Sequence, residues 1–184
     1  MRSRIEIGGQ RQCYNRVRRA KRSYDLGKLS ILVLEKHLLV RRLLTDVFSE
    51  FGVPTVHSTP DPEMAWDIFI QFQVDLILCD WAHGLDGMAF LARVRQDEES
   101  SDPYVPVIIC TANTESQHVC TARDTGMTQF LAKPVSAKMI YFRICAVIEN
   151  TRPFFRVSDF FGPDCRRSRD EFYGGLNRRK HRTG

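Results

Sequence analysis

Residues 74–80 read VDLILCD, a short apolar run that ends on a carboxylate. Such a run, bounded by polar residues and lacking alternation, fits a strand covered on both faces, as in a parallel sheet. The signature recurs on either side. Upstream, residues 30–34 (SILVL) end before Glu35 and Lys36, and residues 54–59 (PTVHST) form a weaker strand. Downstream, residues 105–110 (VPVIIC) end before Thr111 and Ala112, and residues 129–132 (QFLA) end before Lys133 and Pro134. Between these runs the apolar period lengthens to three and four residues. Val40, Leu43, Leu44, Val47, Phe48 and Phe51 stripe a helix that Gly52 stops, and Met64, Ala65, Ile68, Phe69 and Phe72 mark a second. Met88, Leu91 and Ala92 open a third helix, residues 115–124 suit a polar fourth, and Ile140, Ile144, Val147 and Ile148 stripe a fifth. Strands alternating with helices five times predict an α/β fold: a doubly wound, five-stranded parallel sheet with helices on both faces.

With 184 residues the chain can form one domain with a full core plus extensions. The net charge of +5 conceals an asymmetry. Residues 1–28 hold nine Lys/Arg against two acids, residues 151–184 nine against four, and residues 29–150 nine against sixteen. An acidic core over 29–150 is thus expected between a basic, disordered N-terminal arm over 1–28 and a basic, aromatic tail over 151–184. No apolar run approaches the roughly 20 residues that span a bilayer, so integral membrane contact is not expected. The basic N-terminus is followed by no apolar segment or small-residue cleavage site, and the expected location is the cytoplasm. The six cysteines occur singly, without a CxxC pair, and the five histidines lack ligand spacing, so neither set predicts a metal centre.

In open α/β sheets the chemistry collects at the carboxyl ends of the strands. Here those ends supply Glu35, Asp80, Thr111 and Lys133. Two carboxylates, a hydroxyl and an ammonium in one crevice suit phosphoryl chemistry: a carboxylate can attack, while a cation and a hydroxyl stabilise charge on the transferred oxygens. The ordered segments ILVLEKHLLVRRLL, DLILCDW…DG, VPVIICTA and FLAKP resemble the receiver domains of two-component response regulators, the CheY-like family with a flavodoxin-like (βα)5 fold. The resemblance covers about residues 29–150. It implies that Asp80 accepts a phosphoryl group from a histidine kinase or histidine phosphotransfer protein and that Thr111 turns toward the phosphoryl oxygens. It further implies that Lys133 pairs with those oxygens, often before a cis bond to Pro134, and that Phe130 is an aromatic switch. Enzymatic character is then limited to self-phosphorylation and hydrolysis of the protein's own acyl phosphate. The resemblance also implies a Mg²⁺ site at Glu35, Asp80 and the backbone carbonyl of Ala82.

The sequence departs from that pattern at Lys36, where the family carries a second metal-binding acid. An ammonium beside Asp80 is expected to repel a divalent cation and supply part of its charge. The loop WAHGLDG is about one residue short and lacks the usual Met-Pro step. Each residue also has a plainer reading. Asp80 could be a strand-end acid bridged to Lys36 or Lys133 in a pseudo-receiver that keeps the shape as an interaction module, and Phe130 could be core packing. Cys79 and Cys110 adjoin the site, but nothing in the sequence favours a thiolate there.

The tail RPFFRVSDFFGPDCRRSRDEFYGGLNRR is rich in turn formers and short of periodic apolar residues, which predicts an irregular extension. It looks like the RPF..R...FGPDRRR tail of some single-domain bacterial receivers. Phe154, Phe155, Phe160 and Phe161 are expected to anchor its first part. Arginines interleaved with aromatics also suit single-stranded nucleic acid. No helix-turn-helix follows the receiver pattern, however, which favours protein partners over nucleic acid.

Overall fold

The computed structural model describes residues 24–81, 85–112, 116–149, 153–157 and 160–164. The chain runs β1 (Ser30–Leu34), α1 (Leu38–Glu50), β2 (Thr55–Thr59), α2 (Pro62–Gln71), β3 (Leu76–Asp80), α3 (Gly87–Gln96), β4 (Val107–Thr111), α4 (Ser116–Asp124), β5 (Gln129–Ala132) and α5 (Ala137–Glu149). A hairpin of β6 (Phe154–Val157) and β7 (Phe160–Pro163) follows. The five-stranded sheet has the order β2-β1-β3-β4-β5, with every pair parallel. Strand starts are trimmed where proline lacks an N–H to pair. The β4 ladder begins after Pro106, whose carbonyl still accepts from Ile77 N–H at 2.9 Å.

The two-residue period of the strands divides the core. Leu32, Leu34, Ile77, Cys79, Val107 and Ile109 meet Ala65, Trp66 and Phe69 of α2, Phe90, Leu91 and Val94 of α3 and Ala122 of α4. On the other face Ile31, Val33, Leu76, Leu78, Ile108 and Leu131 meet Leu44 and Phe48 of α1 and Ile140 and Ile144 of α5. The doubly wound prediction is met. Gly52 (φ +79°) closes α1: its N–H donates to the Ser49 carbonyl at 2.9 Å, and Val53 N–H reaches the Phe48 carbonyl at 3.0 Å. That is the double bond of a Schellman ending, which satisfies otherwise orphaned carbonyls. Among the described residues no helix is long and apolar enough to cross a membrane.

Three expectations need correction. The helical stripes were read too broadly: Leu43, Met64 and Phe72 are exposed, whereas Trp66, absent from the expected stripe, is buried with the Arg93 guanidinium 4.1 Å from its ring. The expected break after residue 28 falls too late, because Leu26 is fully buried with Phe48 and Val53, and Tyr24 donates its hydroxyl to Glu149 at 2.6 Å. Most of the N-terminal arm lies outside the described residues.

The third correction concerns the tail, whose first part is a regular antiparallel hairpin closed by Asp164 N–H to the Pro153 carbonyl at 2.8 Å. Buried Phe161 and half-buried Phe154 each stack edge-on against Tyr104 at 5.1 Å between centroids. Phe155, expected as an anchor, is 46% exposed. The strand β7 lies against the turn before β5. A Cβ on Gly126 (φ +100°) would stand 2.6 Å from the Phe161 carbonyl oxygen, and one on Gly162 would stand 2.6 Å from Gly126 Cα. Only paired glycines allow two backbones to approach so closely. Beneath the hairpin lies Arg95, fully buried, its Nε donating to the Gly126 carbonyl at 3.0 Å and its Nη1 to the Pro103 carbonyl at 2.9 Å. Burial lowers this guanidinium to about 10.

Candidate functional site

Asp80 is the last residue of β3, the central strand, and sits opposite Cys110 of β4. Its carboxylate is almost completely buried. The next residue keeps the register, Trp81 N–H donating to the Cys110 carbonyl at 2.7 Å. From β5, one strand further over, Lys133 reaches back across the sheet end. Its Nζ lies 2.8 Å from Asp80 Oδ1 and donates to Glu35 Oε2 at 2.7 Å, bridging two carboxylates from different strands. Lys133 N–H donates to the Thr111 carbonyl at 2.8 Å, and the bond to Pro134 is cis. Thr111 ends β4 and is buried.

The loop carrying Glu35 is held at both ends. Glu35 N–H donates to the Thr59 carbonyl at 3.1 Å, and its Oε1 accepts from His37 N–H at 2.9 Å. Arg41, in the first turn of α1, donates one Nη1 to the carbonyls of Glu35 and Lys36 at 2.8 and 2.9 Å. This clamp was missed in the sequence because an arginine on an amphipathic helix reads as a solvated charge.

Electrostatically the pocket is a compromise. Burial raises the Asp80 pKa most, Lys133 pulls it down and Glu35 pushes it up, with a net rise. Burial disfavours the Lys133 ammonium, but its bonds to Asp80 and Glu35 outweigh that and raise its pKa. Burial carries the neighbouring Cys79 thiol well above the ordinary value and the Cys110 thiol up to about 12, which disfavours a thiolate at either.

A second feature missed in the sequence is the docking of α3. Asp86 caps it by accepting from Ala89 N–H at 2.9 Å, and Gly87, its first residue, packs on β3. A Cβ on Gly87 would stand 2.2 Å from the Asp80 carbonyl oxygen and 2.8 Å from Cys79 Sγ. Gly87→Ala is therefore expected to lower stability by about 1–3 kcal/mol, read as a reduced urea midpoint, because one of two packed backbones must shift. An unchanged midpoint would mean that the start of α3 is free to move.

The structure thus gathers Glu35, Asp80 and Lys133, and places Thr111 at the adjacent strand end. It does not bring Lys36 to Asp80: the side chain is exposed, and the ammonium paired with Asp80 is that of Lys133. Phe130 is half-buried on β5 and packs against the core on the α2–α4 side. Ala82 lies outside the described residues.

A parallel sheet of this strand order, with acids and a lysine at its carboxyl end, defines a doubly wound domain of the CheY-like type. The chain belongs to the response regulator receiver domain family, whose model matches residues 31–144. It is 22% identical over 122 residues to chemotaxis protein CheY-3 of Vibrio cholerae, covering 66% of this chain and 92% of that one. It is 29% identical over 124 residues to the phosphate regulon transcriptional regulatory protein PhoB of Escherichia coli, covering 67% of this chain and 53% of PhoB. Among solved structures, CheY4 of Vibrio cholerae superimposes with a TM-score of 0.58 at 18% identity over 65% of this chain and 98% of that one. The receiver domain of the Francisella response regulator 1452 gives 0.59 at 22% over 68% and 100%. The hairpin lies beyond the residues matched to the family.

Receiver domains in general bind Mg²⁺ for phosphorylation. The residues here do not complete such a site. Glu35 already accepts from His37 and Lys133. Lysine stands at 36, and among the described residues no cluster of three or more His, Cys, Asp or Glu could hold a metal. Of the two acids, Asp80 keeps Oδ2 without a hydrogen-bond partner, while its Oδ1 is in the ion pair with Lys133.

Proposed function

We propose that this protein is a stand-alone response regulator in a phosphorelay, accepting a phosphoryl group on Asp80 and signalling through protein–protein contacts in the cytoplasm. The donor is a histidine kinase or a histidine phosphotransfer protein, and the recipient of the signal is a downstream protein. The observation that carries the proposal is the buried Asp80 carboxylate at the end of the central strand, its Oδ1 paired with an ammonium 2.8 Å away and its Oδ2 without a hydrogen-bond partner. A carboxylate oxygen of Asp80 attacks phosphorus. Lys133 meets the charge that develops on the transferred oxygens, as a preorganised cation does in phosphoryl transfer. The Thr111 hydroxyl turns toward those oxygens and Phe130 relays the change to the surface.

Incubation with a small phosphodonor is expected to add one phosphoryl group to the wild type, read by intact mass, and none to Asp80→Asn. An unlabelled wild type would support a second reading, favoured by the pairing of both acids with Lys133: a pseudo-receiver that binds partners regardless of phosphorylation.

A further inference from the structure

We propose that phosphorylation of Asp80 proceeds without a divalent cation, the Lys133 ammonium taking the place between the two carboxylates. The inference rests on the reading of Asp80 as acceptor. It starts from the charge inventory of the strand ends. Glu35 and Asp80 contribute two carboxylates, and one ammonium, that of Lys133, bridges them. A site for a hard divalent cation relies on several oxygen donors free to bind it, and among the described residues no such cluster is present.

The geometry of Lys133 carries the argument further. An ammonium has three N–H donors. Glu35 at 2.7 Å and Asp80 at 2.8 Å direct two of them, and a third remains for an incoming phosphoryl oxygen. Glu35 is fixed in turn by His37 N–H, while Arg41 holds the carbonyls of Glu35 and Lys36. The ammonium is therefore anchored by Glu35 before a donor arrives, as a preorganised charge must be if it is to act without rearranging.

With phosphoramidate as donor the step balances without metal. An Asp80 oxygen forms a bond to phosphorus as the P–N bond breaks. The bonding pair stays on nitrogen, which is already protonated and leaves as ammonia. The product is the acyl phosphate dianion, held by Lys133.

The experiment uses the full chain and phosphoramidate, with excess EDTA in one arm and Mg²⁺ in the other, the phosphoryl group being counted by intact mass. Labelling in EDTA is expected to run within about twofold of the rate in Mg²⁺, against a loss of about a hundredfold if a metal supplies the stabilising charge. Labelling that requires Mg²⁺ overturns the metal-free proposal and leaves Asp80 as acceptor. No labelling in either arm overturns both. In a separate titration, tryptophan fluorescence, to which Trp81 next to Asp80 contributes, is expected to be insensitive to Mg²⁺. A saturable response to Mg²⁺ overturns the metal-free proposal.

Discussion

Replacement of Lys133 by methionine is expected to cost about 3–5 kcal/mol at neutral pH, the range for removing one partner of a buried ion pair. The size follows from what is left behind. Glu35 and Asp80 are both buried, and the ammonium at 2.7 and 2.8 Å joins them. Without it two carboxylates face one another in a desolvated pocket. The loss should depend on pH with a definite sign. Asp80 already holds its proton more tightly in the folded chain, chiefly through burial, with Glu35 adding and Lys133 opposing. A carboxyl whose folded pKa lies above its unfolded value contributes stability at low pH and loses that contribution as pH rises through the folded pKa. Removing Lys133 takes away the opposing influence and raises the folded pKa further. The deficit of Lys133→Met should be largest near neutrality and shrink as the medium is acidified toward the carboxylate range. Urea unfolding of both proteins at neutral and mildly acid pH measures it, and Asp80→Asn on the Lys133→Met background should recover part of the loss. An equal deficit at all pH values would show that the loss comes from packing rather than charge.

The second large effect concerns the hairpin. Phe161→Ala is expected to destabilise the receiver by about 3 kcal/mol, within the range for deleting a buried ring. Phe161 is 7% exposed and touches three partners: Tyr104 at 5.1 Å, Phe154 at 5.5 Å and the Arg156 guanidinium at 4.8 Å. Losing the hairpin would uncover Arg95, whose buried Nη2 already lacks a hydrogen bond. Phe155→Ala is the control. That ring is half in solvent, and its loss should fall within about 0.5 kcal/mol, as for other surface positions. Equal destabilisation by the two variants would mean that the hairpin is not docked as described.

These two regions also show what the sequence could and could not convey. Buried parallel strands leave an unmistakable local signal, so SILVL and VDLILC were readable as strands and Glu35, Asp80, Thr111 and Lys133 as their terminal residues. Their convergence followed from topology alone. The hairpin left no such signal. Its register pairs Phe155 with Gly162 and Phe154 with Pro163, so turn-forming residues sit inside a strand. They are tolerated there because Gly162 meets Gly126, nearly forty positions away in the chain. Arg95 was equally hidden, since a charge in a helix reads as solvated until another segment is known to cover it. Lys36 illustrates the reverse error. The resemblance implied an ammonium at position 36 beside Asp80, but the Lys36 side chain is exposed, and the contact is made by Lys133, just after β5.

The central claim is that Asp80, among all the carboxylates of the chain, receives the phosphoryl group. Borohydride reduces an acyl phosphate to the alcohol, so treatment of the phosphorylated protein followed by peptide mass spectrometry marks the acceptor permanently. Homoserine at the position of Asp80, and at no other acid, is the predicted result. Recovery of unmodified aspartate there, with the reduced residue found elsewhere, would contradict it.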